Sequence, residues 1–406
     1  MSEDTVAEDK TLRRATFRIY PTPAQERGLH YTLKMHQRLY NAALEERIGA
    51  YRTGKSLGFT EQSRELKTVR AEDPAYKALC SQAMNATLHR LEDAYKHFFR
   101  RVRERKKGGG DPCGFPRFKG IDRYVGWGWR GRQGWELVLK DGGAQLKLAK
   151  FGESGEPATL RLRGSLRNVG EPRTCNICKD GDRWYASVSY ACEPLRVKGR
   201  GIIGIDWGVT VYATIVYADN TCEKIGNPRY LRDALEDLRV AQQILAHKTK
   251  FGTRRRFLAK KRVQEIYRKV RDLRDNFLHQ LTAKIIASCD TISTEVLNIS
   301  GMTAEGGAQK AGLNREILAA SPATFLQMLR YKAEEAGVRW IDVPTRTVKP
   351  SQTCSGCGRQ EKKTLADRVH SCPCGLVLDR DENAARVMRN WGLNLLAQEG
   401  HREAAE

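Results

Sequence analysis

The sequence predicts a multidomain protein. An N-terminal β-barrel domain with a helical insertion is followed by an α/β sheet domain that carries a small cysteine-rich element. Three observations predict it. A basic strand signal over residues 12–20 is separated by strongly helical sequence, roughly 24–107, from a glycine-punctuated stretch, 124–192, with only short strand signals. The apolar run Gly201-Ile202-Ile203-Gly204-Ile205 ends in Asp206, as a buried strand does when it delivers one carboxylate to a sheet edge. Four of the 11 cysteines crowd into residues 354–374.

Taken in order, Pro21-Thr22-Pro23 ends the first strand, with Thr22 placed to cap a helix and Pro23 at its first position. That helix runs over about 24–51. Leu29, Leu33, His36, Tyr40 and Leu44 recur every three or four residues and give it one apolar side. Tyr40 reads as packing and Asn41 as support for a neighbouring turn or helix. Further helices are expected over 59–70 and 81–102, the latter with Met84, Leu88, Leu91, Tyr95 and Phe98 on one side. It passes into a dense basic run containing Arg100, Arg101 and Arg103 and ends at the glycine linker Gly108-Gly109-Gly110. In Gly114-Phe115-Pro116-Arg117-Phe118-Lys119-Gly120 the rings either stack on unpaired bases or pack locally.

Short strands are expected over 135–139, 145–148, 158–162 and 184–190. Arg161, Arg163 and Arg167 are candidates to line a nucleic-acid face. Cys175 and Cys178 are an isolated pair without a convincing third and fourth ligand.

Charge narrows the function classes. The 406 residues hold 71 Lys+Arg against 48 Asp+Glu, a formal net charge of +23. Such an excess favours a polyanionic partner, with nucleic acid the leading candidate. No 18-residue apolar run and no signal peptide are evident, so a membrane is not expected as a partner and the cytoplasm is the default compartment.

In the second half, a strand over 211–217 and a turn at Asp219-Asn220 follow the Asp206 strand. A helix over 230–245 comes next. Residues 248–274 then contain twelve Lys/Arg, including Arg254, Arg255, Arg256, Lys260 and Lys261. This helix is expected to cover the sheet with Val263, Ile266 and Val270 and to present phosphate-binding cations elsewhere. The segment 291–299 places Glu295 among apolar neighbours, where a carboxylate needs a partner or a metal. A helix over 322–336 and a strand over 338–343 follow.

Cys354, Cys357, Cys372 and Cys374, spaced CxxC and CxC, suit a structural Zn²⁺ with no open position. His370 is a reserve ligand. Directly afterwards, Asp381 sits at a helix start within Leu378-Asp379-Arg380-Asp381-Glu382-Asn383-Ala384-Ala385. Asp206, Glu295 and Asp381 are far apart in sequence, but a mixed α/β sheet can bring them together. Three such carboxylates can hold Mg²⁺ or Mn²⁺ for phosphodiester hydrolysis. Asp379 is the alternative to Asp381.

The segments GIDWG, STEVLNI, CSGCG, CPCG and DRDENAA resemble the RuvC-type nuclease of the TnpB (OrfB) proteins of insertion sequences. They equally resemble the related compact type V CRISPR effectors. FRIYPTPAQ, SQAMNATLHRLEDAYKHFF and GFPRFKG match the same group, so the resemblance covers roughly residues 12–393. Trp207 stands where the family more usually has Leu, and the cysteine knuckle is one residue short.

The resemblance implies an RNA-guided DNA endonuclease with Asp206, Glu295 and Asp381 catalytic on an RNase H-like RuvC domain. It implies Zn²⁺ at Cys354, Cys357, Cys372 and Cys374, a guide RNA, and a target DNA recognised beside a short flanking motif. It implies a wedge (barrel) domain at 1–23 and 112–198 and a helical recognition domain at 24–111. A RuvC-like domain at 199–349, a zinc ribbon-like element at 350–376 and the third acidic motif with the C-terminal helix at 377–406 follow. So small a chain needs a large RNA as scaffold or a second copy of itself as a homodimer. An RNA-guided binder that represses its target without efficient cleavage, and a true transposase, are the competing functions.

Overall fold

The computed structural model describes residues 11–108, 113–140, 143–164, 170–250, 252–304, 306–364 and 367–403. The polar start 1–10, the linker glycines Gly109 and Gly110, and Arg167 lie outside them. The chain divides into two units, Met1–Glu193 and Pro194–Glu406.

In the first unit, β1 (Thr11–Ile19) is followed by α1 (Pro23–Arg52), α2 (Phe59–Glu72), α3 (Pro74–Lys77) and α4 (Ser81–Lys106). Then come β2 (Gly126–Trp129), β3 (Trp135–Lys140), β4 (Gly143–Phe151), β5 (Glu156–Arg163), β6 (Glu171–Asp180) and β7 (Arg183–Cys192). The seven strands form one sheet in the order β2-β6-β7-β1-β5-β4-β3. The first strand of the chain thus pairs with strands that lie beyond the helices.

The sheet must curl. In a flat sheet its end strands would stand ~29 Å apart at ~4.8 Å per step. Yet Trp129, ending β2, is six residues from Trp135, starting β3, a reach of at most ~21 Å. The two ends meet at Cys80: its Sγ accepts a hydrogen bond from Trp129 Nε1 at 3.4 Å, and a Cβ on Gly134, just before β3, would stand 2.5 Å from the same sulfur. The expected barrel is therefore seen as a curled sheet with β2 and β3 as its terminal strands.

Helix α1 starts where the capping residues place it. Thr22 Oγ1 accepts from Gln25 N at 3.3 Å, and Gln25 Oε1 accepts from Thr22 N at 3.1 Å. Thr22→Ala is expected to cost about 1 kcal/mol of unfolding free energy in a denaturant melt, with Thr22→Gly costing less. The apolar stripe Leu29, Leu33, His36, Tyr40 and Leu44 is buried as expected. His36 behaves as a core residue: its Nδ1 lies 2.8 Å from Thr87 Oγ1 and its ring stacks on Trp127. Burial, with Arg90 nearby, pushes its imidazole down to about 3, so it is neutral in the core. Asn41 clasps the loop after α4, donating to Lys119 O and accepting from Lys119 N.

Strands β2 and β6 are not legible as strands in the sequence. Gly126 and Gly128 look like loop residues, but a Cβ on either would collide with β6, at Ile177 O and Asn176 Oδ1 respectively. The close approach of the β6 backbone requires them. Cys175 is fully buried in β6, and burial drives its thiol far above the ordinary range. It is a core residue there.

The second unit holds β8 (Ile202–Trp207), β9 (Val211–Val216) and β10 (Cys222–Gly226), then α5 (Tyr230–Asp233), α6 (Leu235–His247) and α7 (Arg254–Ser288). Next are β11 (Thr291–Glu295), α8 (Ile299–Met302), α9 (Ala308–Ala320), α10 (Pro322–Ala336), β12 (Arg339–Val343) and α11 (Thr345–Val348). The hairpin β13 (Val369–Ser371) and β14 (Val377–Asp379) leads into α12 (Arg380–Glu403). The main sheet runs β10-β9-β8-β11-β12. β8, β9 and β10 form an antiparallel meander, and β11 lies parallel to both β8 and β12.

Helices α7 and α10 share the core with Tyr212 and Phe325, while α12 packs on β8, β9, β11 and β12. Lys332 of α10 is fully buried, yet its Nζ donates to His279 O at 2.8 Å and Thr282 Oγ1 at 2.6 Å on α7. No helix among the described residues is long and apolar enough to cross a membrane.

Candidate active site and metal centre

Two of the three acidic residues are set by strand register. Ile205 of β8 lies opposite Thr294 of β11 in parallel pairing. Asp206 and Glu295, the next residues on each strand, therefore emerge side by side at the same sheet end, about one strand spacing apart at ~4.8 Å. Trp207 faces the other way and packs edge-on to Tyr212 at 6.3 Å, so the bulkier residue is absorbed by the core.

Asp381 arrives from α12. Gly204 makes this possible, because a Cβ there would collide with Ala385 O and lie 2.8 Å from Arg389 N. Ser293 Oγ donates to Met388 O at 2.6 Å. Further along, a Cβ on Gly392 would stand 2.5 Å from Ile202 Cδ1 and 3.1 Å from Ser293 Cβ. The helix thus runs against the direction of β8, and its first turn sits at the strand end that carries Asp206. One turn back from Ala385 covers ~6 Å. Two residues on from Gly204 cover ~6.6 Å. The two displacements match, and they bring Asp381 close enough for its charge to act on Asp206.

The electrostatics agree. Burial, then the charges of Glu295 and Asp381, hold the Asp206 carboxyl well above the usual range, while Arg380 opposes them. Burial also raises Glu295. Asp379 is differently engaged. Its Oδ1 caps α12, accepting from Asp381 N at 3.0 Å and Glu382 N at 3.2 Å, and its Oδ2 pairs with Lys224 Nζ at 2.9 Å. Burial works to raise this carboxyl, but the Lys224 bond and the cap bonds prevail and lower it. Asp381 has Arg380 Nε 3.4 Å from its Oδ1.

The four cysteines form a tighter group. Their sulfur atoms all lie within 4.8 Å of one another. Cys354 and Cys374 Sγ are 3.7 Å apart, and Cys357 and Cys372 Sγ are 3.5 Å apart. A tetrahedron with Zn–S bonds of ~2.3 Å has edges of ~3.8 Å, so the donor set fits Zn²⁺. Burial opposes ionisation of Cys354, but hydrogen bonding from His370 and from the Cys357 and Gly356 N–H groups brings it down to about 6. His370 is buried, with its Nδ1 on Lys363 Nζ. Among the described residues no carboxylate joins so compact a group.

The candidate nucleic-acid residues divide by unit. Arg100, Arg101 and Arg103 are exposed on the last turns of α4, with Arg100 3.6 Å from Glu104. On α7, Arg254, Arg255 and Lys260 are exposed, and Lys261 lies 3.9 Å from Glu265. Arg256 is half-buried, and its guanidinium donates to the carbonyls of Leu245 (3.5 Å) and Lys248, closing the α6–α7 turn. Phe115 and Phe118 are both exposed, and Phe115 also makes edge contacts with Tyr95 and Phe98.

Gly204, Lys224 and Asn383 also shape the site, and reasoning from sequence misses them. Only Gly204 carries a signal, a glycine inside an apolar strand, which marks a close backbone approach.

The chain is similar to known proteins over most of its length. Residues 187–305 match the OrfB family model described as "Probable transposase". Residues 323–388 match the "Cas12f1-like, TNB domain", and residues 11–56 the "Helix-turn-helix domain" of the OrfB group. In this structure the last of these segments is β1 and α1.

A Streptomyces pristinaespiralis protein named "Putative RNA-guided DNA endonuclease" is 30% identical over 389 residues, covering 94% of this chain and 89% of that protein. The Escherichia coli K12 protein named "Putative RNA-guided DNA endonuclease InsQ" is 27% identical over 78% of this chain and 76% of its own. The protein in a cryo-EM structure of a Cas12f1–sgRNA–target DNA complex superposes with a TM-score of 0.62 at 12% identity, over 94% of this chain and 99% of that one, a likeness of fold. With that extent of identity to its relatives and with this fold, the chain belongs to the TnpB (OrfB) family.

Proposed function

We propose that this protein is an RNA-guided DNA endonuclease and that Asp206, Glu295 and Asp381 form its cleavage site on a RuvC-type, RNase H-like sheet. The observation that carries this is the meeting of Asp206 and Glu295 on adjacent parallel strands with Asp381 delivered over Gly204. A half-buried aspartate crowded by two more carboxylates is costly unless cations join it. Oxygen donors of this kind suit Mg²⁺ or Mn²⁺. Divalent cations held there supply activation of water and stabilisation of the leaving 3′ oxygen in phosphodiester hydrolysis.

The protein's own part is positional. The two strand ends fix Asp206 and Glu295. The Asp379 cap and its Lys224 partner fix the start of α12, leaving Asp381 as the acid turned to the site. The four thiols hold Zn²⁺ as a structural centre. Guide RNA and target DNA are the partners, a reading supported by the names of the relatives and by the RNA and DNA bound in the Cas12f1 complex. The curled sheet acts as the wedge domain and α1–α4 as the recognition domain. Arg100, Arg101 and Arg103 of α4 and the basic residues of α7 contact phosphates.

The raised Asp206 value gives a pH signature. A carboxyl raised in the folded state contributes stability below its unfolded value of ~3.9, and this is lost as pH rises through the folded value. Without divalent metal, the melting temperature should therefore fall as pH rises above about 4, and by more in the wild type than in Asp206→Asn. Adding Mg²⁺ should close the gap. Equal pH profiles in calorimetry would remove Asp206 from the crowded site.

The function itself is tested by sequencing the RNA that copurifies with the protein, rewriting its guide segment and supplying a matching plasmid with Mg²⁺. Cutting that follows the new guide is expected. Target bound but left intact in Mg²⁺ and Mn²⁺ alike would establish the binder instead, and joined products would establish a transposase.

A further inference from the structure

We propose that Asn383, aided by Arg380, is a positioning residue that couples the four-cysteine centre to the carboxylate site. Metal at the thiols then sets the affinity of the carboxylates for a hard divalent cation. This rests on the cleavage-site assignment above.

Asn383 lies two residues after Asp381 on the first turns of α12 and is fully buried. Its side chain holds the chain on both sides of Cys354. Oδ1 accepts from Ser355 N at 2.9 Å, and Nδ2 donates to Thr353 O at 2.7 Å. Two helical turns on, Asn390 Nδ2 donates to Ser355 O at 3.2 Å. Arg380 grips the other cysteine-bearing segment. Its backbone N–H donates to Arg368 O at 2.9 Å, its Nη1 to Thr364 O at 3.3 Å, and its Nε lies 3.4 Å from Asp381 Oδ1. β13 and β14 continue this link, since Val369 pairs with Asp379 and Cys372 follows directly after β13.

Both halves of the thiol cluster are therefore fastened to the turn that presents Asp381. A buried amide with both ends matched to backbone groups resists displacement, because either bond broken leaves a buried group unsatisfied. Thiols drawn together by a metal keep residues 353–355, Thr364 and residues 367–372 in place, and α12 keeps its entry onto β8. Thiols without metal leave the two segments unbridged, and the turn that both of them hold is freer. The coupling is reciprocal, and for two linked sites it typically amounts to ~5- to 150-fold in affinity.

The test uses full-length protein freed of nucleic acid by high salt. Wild type, Asn383→Leu and Asp206→Ala are each measured with zinc loaded and with zinc stripped. Mn²⁺ binding is read by electron paramagnetic resonance, and zinc content by metal analysis. Stripping zinc from the wild type should weaken Mn²⁺ binding about tenfold or more. Asn383→Leu should retain zinc, bind Mn²⁺ weakly and respond little to stripping. Asn383→Asp, which keeps the acceptor, should fall between them and replaces the leucine variant if that one fails to fold. Unchanged Mn²⁺ affinity in stripped wild type, or a full wild-type response in both Asn383 variants, overturns the coupling. Mn²⁺ binding that survives in Asp206→Ala overturns the carboxylate assignment instead.

Discussion

Asp206→Ala protein, loaded with its RNA, is expected to bind target DNA as tightly as the wild type and to leave it uncut. Asp206 feels the charges of both other acids, so on the proposed assignment its loss removes an oxygen donor that faces both of them. Metal-mediated stabilisation of charge in such reactions amounts to several kcal/mol. At ~1.4 kcal/mol per decade, that is about a thousandfold or more in cleavage rate. Single-turnover cleavage and a gel-shift titration on the same preparation separate the two effects.

Asp379→Asn is the informative contrast. Asn still caps a helix, and Asp379 already divides its oxygens between the cap and Lys224. Its cleavage rate should stay within about tenfold of wild type. A thousandfold loss from Asp379→Asn with little effect of Asp381→Asn would exchange their roles.

Gly204→Val should also impair cleavage, from a position outside the proposed carboxylate site. The new Cβ would meet Ala385 O and crowd Arg389. Neither backbone can yield without lifting α12 from β8. Overpacking of this kind costs about 1–3 kcal/mol, and more where backbone is struck. Lifting α12 also carries Asp381 away from Asp206. Cleavage should fall by at least about a hundredfold and the melting temperature by several degrees, with zinc content retained. Gly204→Ala should show the same direction at smaller size. A Gly204→Val protein that melts and cuts like the wild type would refute this packing of α12.

Asp206 and Gly204 stand on either side of a line between what the chain spells out and what it hides. Helix α1 is legible because its signals are local: Thr22 reaches only to Gln25, and a 3.6-residue apolar period needs no partner to be seen. Asp206 and Glu295 are legible for the same reason, as carboxylates ending short apolar strands. The cysteine spacing announces its chemistry because thiolate pairs at such intervals do little else together. Strands β2 and β6 are hidden, since the glycines of β2 and the polar residues of β6 make sense only where the two backbones press together.

The sequence by itself therefore determined the kinds of chemistry available: carboxylates at strand and helix ends, four clustered cysteines and a strong excess of cations. Tertiary structure decided which atoms meet. Register placed Glu295 beside Asp206, a missing side chain at Gly204 let α12 down onto the sheet, and Asn383 tied that helix to the thiols. Each depends on contact between residues far apart in the chain, and no periodicity along the chain records distances across it.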